Sequence, residues 1–216
     1  MSNLNNYLSI ALLATIVFLS ACGGDETVDS TFDPLVQFEI EKELINDYLI
    51  EKEYEADTTT LGVRVVVLES GEDQKVEEGQ LVSFDFSGRF LDLSDDMEII
   101  DSVYFTTTLF DLAKEKIDTS LVDNPISFRP VRYSYSANGW TLTSASGGSG
   151  YLPGFRDGLT ELLTKIGKGG SGEIILPSRV AYGLTGSTNS SGFPDGVVSS
   201  NQVLIFEIFL RDFEDQ

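Results

Sequence analysis

The chain has 216 residues, a formal net charge of −21, a single cysteine and no histidine. A surface this acidic repels nucleic acid and anionic headgroups, so no nucleic-acid partner is expected. The lack of histidine removes the commonest general base and metal ligand, which argues against a hydrolase with a Ser-His or Cys-His pair. No acidic stretch has the spacing of a calcium loop, and we expect neither a metal nor a cofactor.

The first 21 residues are predicted to be a signal peptide. Residues 8–21 form an apolar run that is too short to span a bilayer comfortably. The run ends in LSAC at residues 19–22, which looks like a bacterial lipobox with Cys22 as the lipidated first residue of the mature chain. No Lys or Arg precedes the run, and the alternative is a buried N-terminal helix with an incidental cysteine. The pattern predicts a protein that a lipid anchors to a membrane of the bacterial cell envelope, periplasmic or surface-exposed.

A tether and a helix are predicted after the lipidated cysteine. Residues 22–33 are polar and acidic without a hydrophobic pattern, as in a flexible tether. A helix is predicted over residues 34–57, where Asp33 suits the N-cap and Pro34 the first helical position. Its apolar side chains recur every four residues, at Val36, Ile40, Leu44 and Tyr48, with Ile45 and Leu49 beside them. This helix either packs on the following domain or pairs with a second copy of the chain in a homodimer.

From residue 58 onward the sequence predicts strands and one short helix. Residues 62–68 are β-branched, and a half-buried strand follows with its apolar side at Val82, Phe84 and Phe86. The short helix has an apolar face that consists of Phe155, Leu159, Leu162, Leu163 and Ile166. Residues 203–210 are apolar on both faces apart from Glu207, so this strand should lie inside a sheet. Antiparallel strands with a helix against them form an α+β fold.

Five stretches of the sequence carry a family resemblance. In chain order they are the strand entry GQLVSFDFSGR at 79–89, IDS at 100–102, LPGF with the following Gly158 at 152–158, LPSRVAYG at 176–183, and the strand at 203–210. In this order they resemble the FKBP-type peptidyl-prolyl cis-trans isomerases. The resemblance implies a twisted antiparallel sheet of five or six strands wrapped on the short helix, in a domain of residues 58–216. With the lipobox, it implies a bacterial envelope lipoprotein of that family.

The resemblance also implies which residues form the site. Three would act on the substrate: Asp101, Tyr182 and Phe206. Six would form an apolar cradle for the proline: Phe86, Ile100, Ile126, Phe128, Leu152 and Phe155. The Tyr182 hydroxyl would donate to a substrate carbonyl, and the backbone N–H of Leu152 would bond the chain beside the proline. Asp101 would keep a carboxylate close to the twisted carbonyl.

Several of these positions depart from the family pattern. Phe86 replaces a tyrosine whose hydroxyl normally holds the carboxylate, and Phe155 replaces the tryptophan floor. Ile100 and Ile126 replace aromatic walls. The pocket therefore stays apolar with weaker walls and a freed Asp101, which predicts reduced activity.

Three insertions distinguish the chain from compact members of the family. They lie near residues 92–125, 129–150 and 187–196. The first includes residues 109–114, which predict an extra short helix, and the second has the hairpin signal Asn138-Gly139. If the family's topology holds, all three lie around the mouth of the pocket, where they would change the client more than the chemistry.

Two functions follow as hypotheses. The first is isomerisation of X-Pro bonds in envelope or secreted polypeptides, by desolvation and positioning in the apolar pocket. The second is a binding or chaperone module, or a structural lipoprotein of a surface complex, that keeps the fold without catalysis. The retained Tyr182, Asp101 and Phe206 favour the first, and the lost walls and the insertions favour the second.

Overall fold

A computed structural model of the protein describes residues 33–94, 98–117, 130–136, 139–142, 152–188, 191–192 and 195–215. The predicted signal peptide, the predicted lipidation site Cys22, almost all of the tether and the cradle residues Ile126 and Phe128 lie outside these ranges. No helix in the described part of the chain is both long and apolar enough to cross a membrane.

The described residues form three α-helices and nine strands. The helices are α1 (Pro34–Glu51), α2 (Phe110–Lys116) and α3 (Pro153–Leu163), and single 3-10 turns lie at Ser178–Val180 and Gly183–Thr185. The strands are β1 (Ala56–Thr58), β2 (Arg64–Glu69), β3 (Gln80–Leu93), β4 (Ile99–Ile100), β5 (Tyr104–Thr107), β6 (Val131–Ser136), β7 (Gly139–Leu142), β8 (Ser171–Leu176) and β9 (Val203–Asp215).

All strand pairs are antiparallel, in the order β1-β2-β8-β9-β3-β6-β7, and β4 and β5 also pair with β3. The predicted antiparallel α+β class is confirmed, with nine strands in place of five or six. The additional strands are short and mostly come from the predicted insertions. The hairpin predicted at Asn138-Gly139 is present as β6 and β7, in which Tyr135 pairs with Trp140. The short helix predicted at 109–114 is α2.

The strand predicted to lie inside the sheet does so. β9 pairs with β8 on one side and with residues 80–91 of β3 on the other. Residues 203–206 are buried on both faces because each face of the sheet is covered by a helix. In this register Phe206 pairs with Gly88, which fixes the geometry of the candidate site.

Helix α3 covers one face of the sheet. Its apolar face packs on alternate residues of β3, β8 and β9, which include Phe84, Ile174 and Phe206. The helix lies close to the sheet at Gly158, where an added Cβ would be 2.9 Å from Val63 Cγ1 and 3.0 Å from Ile174 Cγ2. The helix ends at Leu163, three residues before the predicted end.

Helix α1 covers the opposite face. Ile45 and Tyr48 pack there with Leu91, Ile175 and Ile205. The predicted apolar face is therefore partly wrong: the helix buries Glu41, Ile45 and Tyr48, and Val36 and Ile40 are 56% and 53% exposed. The reason is that three- and four-residue steps keep a helical stripe on one side, whereas strict four-residue steps drift around the helix.

Helix α1 also ends earlier than the predicted residue 57. The Tyr54 N–H donates to Leu49 O at 2.8 Å, and the Glu53 N–H donates to Ile50 O at 3.1 Å. Glu53 has φ of +56°, so these bonds form a Schellman motif that stops the helix without a glycine. The chain then turns into β1.

Candidate functional site

Three phenylalanine rings from three elements meet under helix α3. Phe86 lies on β3, Phe206 on the neighbouring β9, and Phe155 in the first turn of α3. The Phe155 and Phe206 centroids are 5.0 Å apart at an interplanar angle of 83°, an edge-to-face contact. Phe86 lies 6.3 Å from Phe155 and 6.2 Å from Phe206. All three are residues of the predicted site.

Two further rings extend this group toward solvent. The Phe105 centroid is 5.7 Å from Phe206, edge-on, and 5.0 Å from Phe90, nearly stacked. Phe155 and Phe206 are fully buried, whereas Phe90 and Phe105 are only partly buried. We call these five rings the aromatic cluster. Its buried members form a floor, and its partly buried members form a wall.

Gly88 allows the wall to approach the floor. A Cβ at this position would be 2.6 Å from Thr106 Cγ2, 2.8 Å from Phe105 Cζ and 3.0 Å from Phe206 Cε1. Gly88 pairs with Thr106 across the strands, and Arg89 pairs with Tyr104, which leaves Phe105 as the extra residue of a bulge. Bulges redirect side chains, and this one directs the Phe105 ring toward Phe206.

Tyr182 lies on the loop after β8. It is partly buried and packs on the core that contains the aromatic cluster. Burial, and secondarily the charge of Asp195, raises the pKa of the Tyr182 phenol, so the hydroxyl is neutral and able to donate at physiological pH. The loop lies against the start of α3, where a Cβ on Gly154 would be 2.7 Å from Val180 Cγ2.

Leu152 lies at the same end of α3. It occupies the N-cap position, its carbonyl accepts the Arg156 N–H at 3.1 Å, and its side chain packs in the core with Phe155 and Phe206. The structure therefore brings together five of the predicted site residues: Phe86, Leu152, Phe155, Tyr182 and Phe206.

Two predicted residues lie elsewhere, which corrects the predicted site. Asp101 forms an ion pair with Lys52, which follows α1, at 3.1 Å, and its side chain is 23% exposed. Ile100 pairs with Asp92 at the far end of β3. The reason is the strand register. The segment that pairs with β3 beside Phe86 is β5, which lies five residues further along the chain than the predicted segment. Ile126 and Phe128 lie outside the described residues.

Phe105 and Thr106 are the site residues that the sequence reasoning missed. Phe105 supplies the aromatic wall that the resemblance predicts at Ile100. Thr106, the next residue, occupies the position predicted for Asp101. A signal was present, because residues 103–108 (VYFTTT) combine aromatic and β-branched residues as a strand does. The match of IDS at residues 100–102 to the family motif predicts Ile100 and Asp101 at these positions instead.

This arrangement can hold an apolar ring and donate one hydrogen bond. The cluster contains no acid or base that titrates near neutrality, and within the described ranges no three Cys, Asp or Glu side chains are grouped to hold a metal ion. Such a site suits a reaction that moves no proton, such as rotation about an amide bond.

The solved structures to which the chain is similar include a peptidyl-prolyl isomerase, FkpA and proteins with FKBP names. A peptidyl-prolyl cis-trans isomerase from Pseudomonas syringae is 15% identical, with a TM-score of 0.46 over 85% of this chain and 98% of that one. FkpA from Escherichia coli is 17% identical, with a TM-score of 0.41 over 100% of this chain and 74% of that one. The N-terminal domain of FKBP42 from Arabidopsis thaliana is 14% identical, with a TM-score of 0.44 over 74% and 93%.

No protein-family model and no curated protein matches the chain. At these identities and TM-scores, the likeness concerns the arrangement of the chain and not its activity.

Proposed function

We propose that the protein is a peptidyl-prolyl cis-trans isomerase. The observation that carries this proposal is the edge-to-face floor of Phe155 and Phe206, in the core on which Tyr182 also packs. A proline ring is apolar, and a floor of aromatic edges and faces would give it a binding site without water. The peptide bond before the proline then lies beside a neutral hydroxyl donor.

Rotation about an X-Pro bond crosses a barrier of about 18–20 kcal/mol that amide resonance sets. Water favours the planar amide, because the planar form has the more polar carbonyl. A pocket that withholds water and holds the flanking backbone favours the twisted form. The aromatic cluster would exclude water, and Tyr182 would bond a carbonyl of the client. No step requires a general base.

A binding or chaperone module is the second candidate. It is favoured by two specific features: Phe86 has no hydroxyl, and Thr106 stands where a carboxylate was predicted. Asp101 is paired to Lys52, so its carboxylate does not serve the twisted carbonyl. Such a pocket would dock proline-containing segments with little or no acceleration.

The cellular setting is part of the proposal. The lipobox at residues 19–22 supports a chain that is lipidated on Cys22 and held at a membrane of the bacterial envelope. The clients would be proline-containing segments of envelope or secreted polypeptides. Cys22→Ser should release the protein from membranes, and retention of that variant would contradict the anchor.

The deciding experiment is an isomerisation assay on X-Pro tetrapeptides with the full-length chain. We expect acceleration by the wild-type protein and its loss in Phe155→Ala, with a thermal melt of each protein. Phe213→Ala is the matched control, because Phe213 packs on the same core near the end of β9, away from the cluster. A folded wild-type protein without acceleration, which still binds the peptides, would favour the binding module instead.

A further inference from the structure

The loop that carries Tyr182 is held by helix α1, which lies outside the region of family resemblance. The contact is made by Glu41, a carboxylate that is only 3% exposed. Its Oε2 accepts the backbone N–H of Ser178 at 2.8 Å, and its Oε1 accepts the Ser178 hydroxyl. Gln37 Nε2 also donates to Glu41 Oε1, at 2.9 Å. One buried carboxylate thus binds both donors of a residue 137 positions away in the chain.

A second contact joins the same two segments. The Arg179 guanidinium lies over the Phe38 ring of α1, 4.1 Å from its centroid, in a cation–π arrangement. Arg179 Nη2 also donates to Leu61 O at 3.1 Å, which ties the guanidinium to the segment before β2. Two consecutive loop residues, Ser178 and Arg179, are therefore held by side chains one turn apart on α1.

Ser178 is connected to Tyr182 by a short turn that contains two backbone hydrogen bonds. The Val180 N–H donates to Pro177 O at 3.1 Å, and the Ala181 N–H donates to Ser178 O at 2.9 Å. A fixed Ser178 thereby fixes the turn that ends one residue before Tyr182. Loops move more than the elements they connect, so a loop that carries a functional hydroxyl needs such support.

We propose that Glu41 is a positioning residue for the isomerase site, and that α1 sets the loop so that Tyr182 faces the aromatic cluster. This inference rests on the proposed function. Glu41 touches no substrate and acts through Ser178. A buried carboxylate suits the task because its two oxygens accept both donors in charge-assisted bonds, which are stronger than neutral ones. Without it, the buried Ser178 N–H would lose its acceptor.

The test is a double-mutant cycle between Glu41→Ala and Tyr182→Phe, with kcat/KM measured on the full-length chain. Loss of the Tyr182 hydrogen bond should cost up to about tenfold. Because Glu41 acts through that hydroxyl, Glu41→Ala should cost a similar factor or less. In the Tyr182→Phe background, it should change kcat/KM by less than about twofold. The proposal would be overturned if the loss of kcat/KM in the double variant equals the product of the two single losses. It would also be overturned if Glu41→Ala alone leaves kcat/KM unchanged.

Two controls separate positioning from a general weakening of the fold. Tyr48→Phe removes a buried bond between α1 and the sheet without touching the loop, and Glu39→Ala removes an exposed carboxylate on α1. Both should leave kcat/KM unchanged at a temperature where melts show them folded. An equal loss in Tyr48→Phe would show that any damage to α1 suffices, and would overturn the role of Glu41. If Glu41→Ala does not fold, Ser178→Ala takes its place in the cycle, with the same outcomes.

Amide hydrogen exchange tests the geometry without any activity. The Val180 and Ala181 amides should exchange faster in Glu41→Ala than in Tyr48→Phe, while amides of β9 stay equal in the two variants. If the wild type is inactive but the variants show this exchange pattern, only the proposed function is contradicted. The contact by which α1 fixes the loop is then supported. Equal exchange at Val180 and Ala181 in the two variants would contradict the hold itself.

Discussion

The Tyr48 hydroxyl on α1 donates a 2.7 Å hydrogen bond to Glu173 Oε2 on β8. Arg89 Nη2 on β3 contacts both partners, at 3.1 Å from the Tyr48 hydroxyl and 2.5 Å from Glu173 Oε1. All three residues are almost fully buried, and burial raises the pKa of the Tyr48 phenol. A buried ion pair of this kind depends on hydrogen bonds from its surroundings, and the Tyr48 hydroxyl supplies one of them to Glu173. Helix α1 is therefore part of the folded core and not an appendage.

This packing bears on the predicted homodimer. The face of α1 that contains Ile45 and Tyr48 is covered by the sheet of the same chain. A dimer through α1 would have to use the outer face, where Val36 and Ile40 are exposed. A homodimer thus stays a prediction, with its interface restricted to that face.

Tyr48→Phe should destabilise the protein by about 1–3 kcal/mol, because it leaves a buried carboxylate with one donor fewer. Urea unfolding, followed by circular dichroism, measures this change. Tyr54→Phe is the matched control, since its ring packs edge-on against Tyr48 at 6.2 Å and it loses the same hydroxyl. Equal losses in the two variants would indicate that the bond to Glu173 contributes nothing of its own.

Phe105→Ala should separate activity from stability. Phe105 is partly buried on the wall, whereas Phe155 is a fully buried floor residue. Truncation of a buried phenylalanine costs about 3–5 kcal/mol, so Phe155→Ala should lower the melting temperature strongly, and Phe105→Ala should lower it less. Both should lower kcat/KM for an X-Pro peptide. Full activity in a folded Phe105→Ala variant would show that the wall does not contact the client.

Asp101→Asn tests the correction to the predicted site. The carboxylate is paired with Lys52 at 3.1 Å, on the side of the sheet covered by α1. Its removal should leave kcat/KM unchanged and should cost at most about 1 kcal/mol of stability, because the pair is partly exposed. Thr106 follows Phe105 on β5 and lies beside the aromatic cluster at Gly88. Thr106→Ala should by contrast lower kcat/KM. A tenfold loss in Asp101→Asn alone would restore its predicted role.

The pH dependence of the rate should be flat between about pH 6 and 8, since no acid or base of the cluster titrates in that range. Burial raises the pKa of Tyr182 above its usual value near 10, so its hydroxyl stays protonated on the alkaline side as well. The measurement is kcat/KM in buffers of constant ionic strength. A loss of rate with an apparent pKa between 6 and 8 would point to a titrating group in the mechanism.

Much of the fold was predictable from local patterns. The alternation at Phe84 and Phe86, the apolar strand at 203–210 and the spacing of Phe155 and Leu159 each match one element. Register was not predictable, because a five-residue shift between two plausible pairings with β3 depends on a bulge at Gly88. The family motif at residues 100–102 therefore pointed to Asp101 instead of Thr106.

The contact between α1 and the Tyr182 loop could not be predicted from the sequence either. Glu41 interrupts an apolar pattern, and a charged residue there is normally solvated. Only the tertiary structure shows that its carboxylate is buried against Ser178. Long-range polar pairs of this kind have no local signature.

The double variant Phe86→Tyr/Thr106→Asp should raise activity above that of the wild type. The sequence resemblance implies a tyrosine hydroxyl that holds a carboxylate beside the twisted carbonyl, and Phe86 and Thr106 provide neither group. Thr106→Asp alone places a carboxylate beside Phe105 and Phe206 without a partner, which should cost at least about 1–3 kcal/mol and give no gain in rate. Adding Phe86→Tyr supplies a donor and should recover part of that stability. Chemical denaturation and kcat/KM on all four combinations measure the coupling, and strictly additive changes in both would show that the two positions do not form a pair.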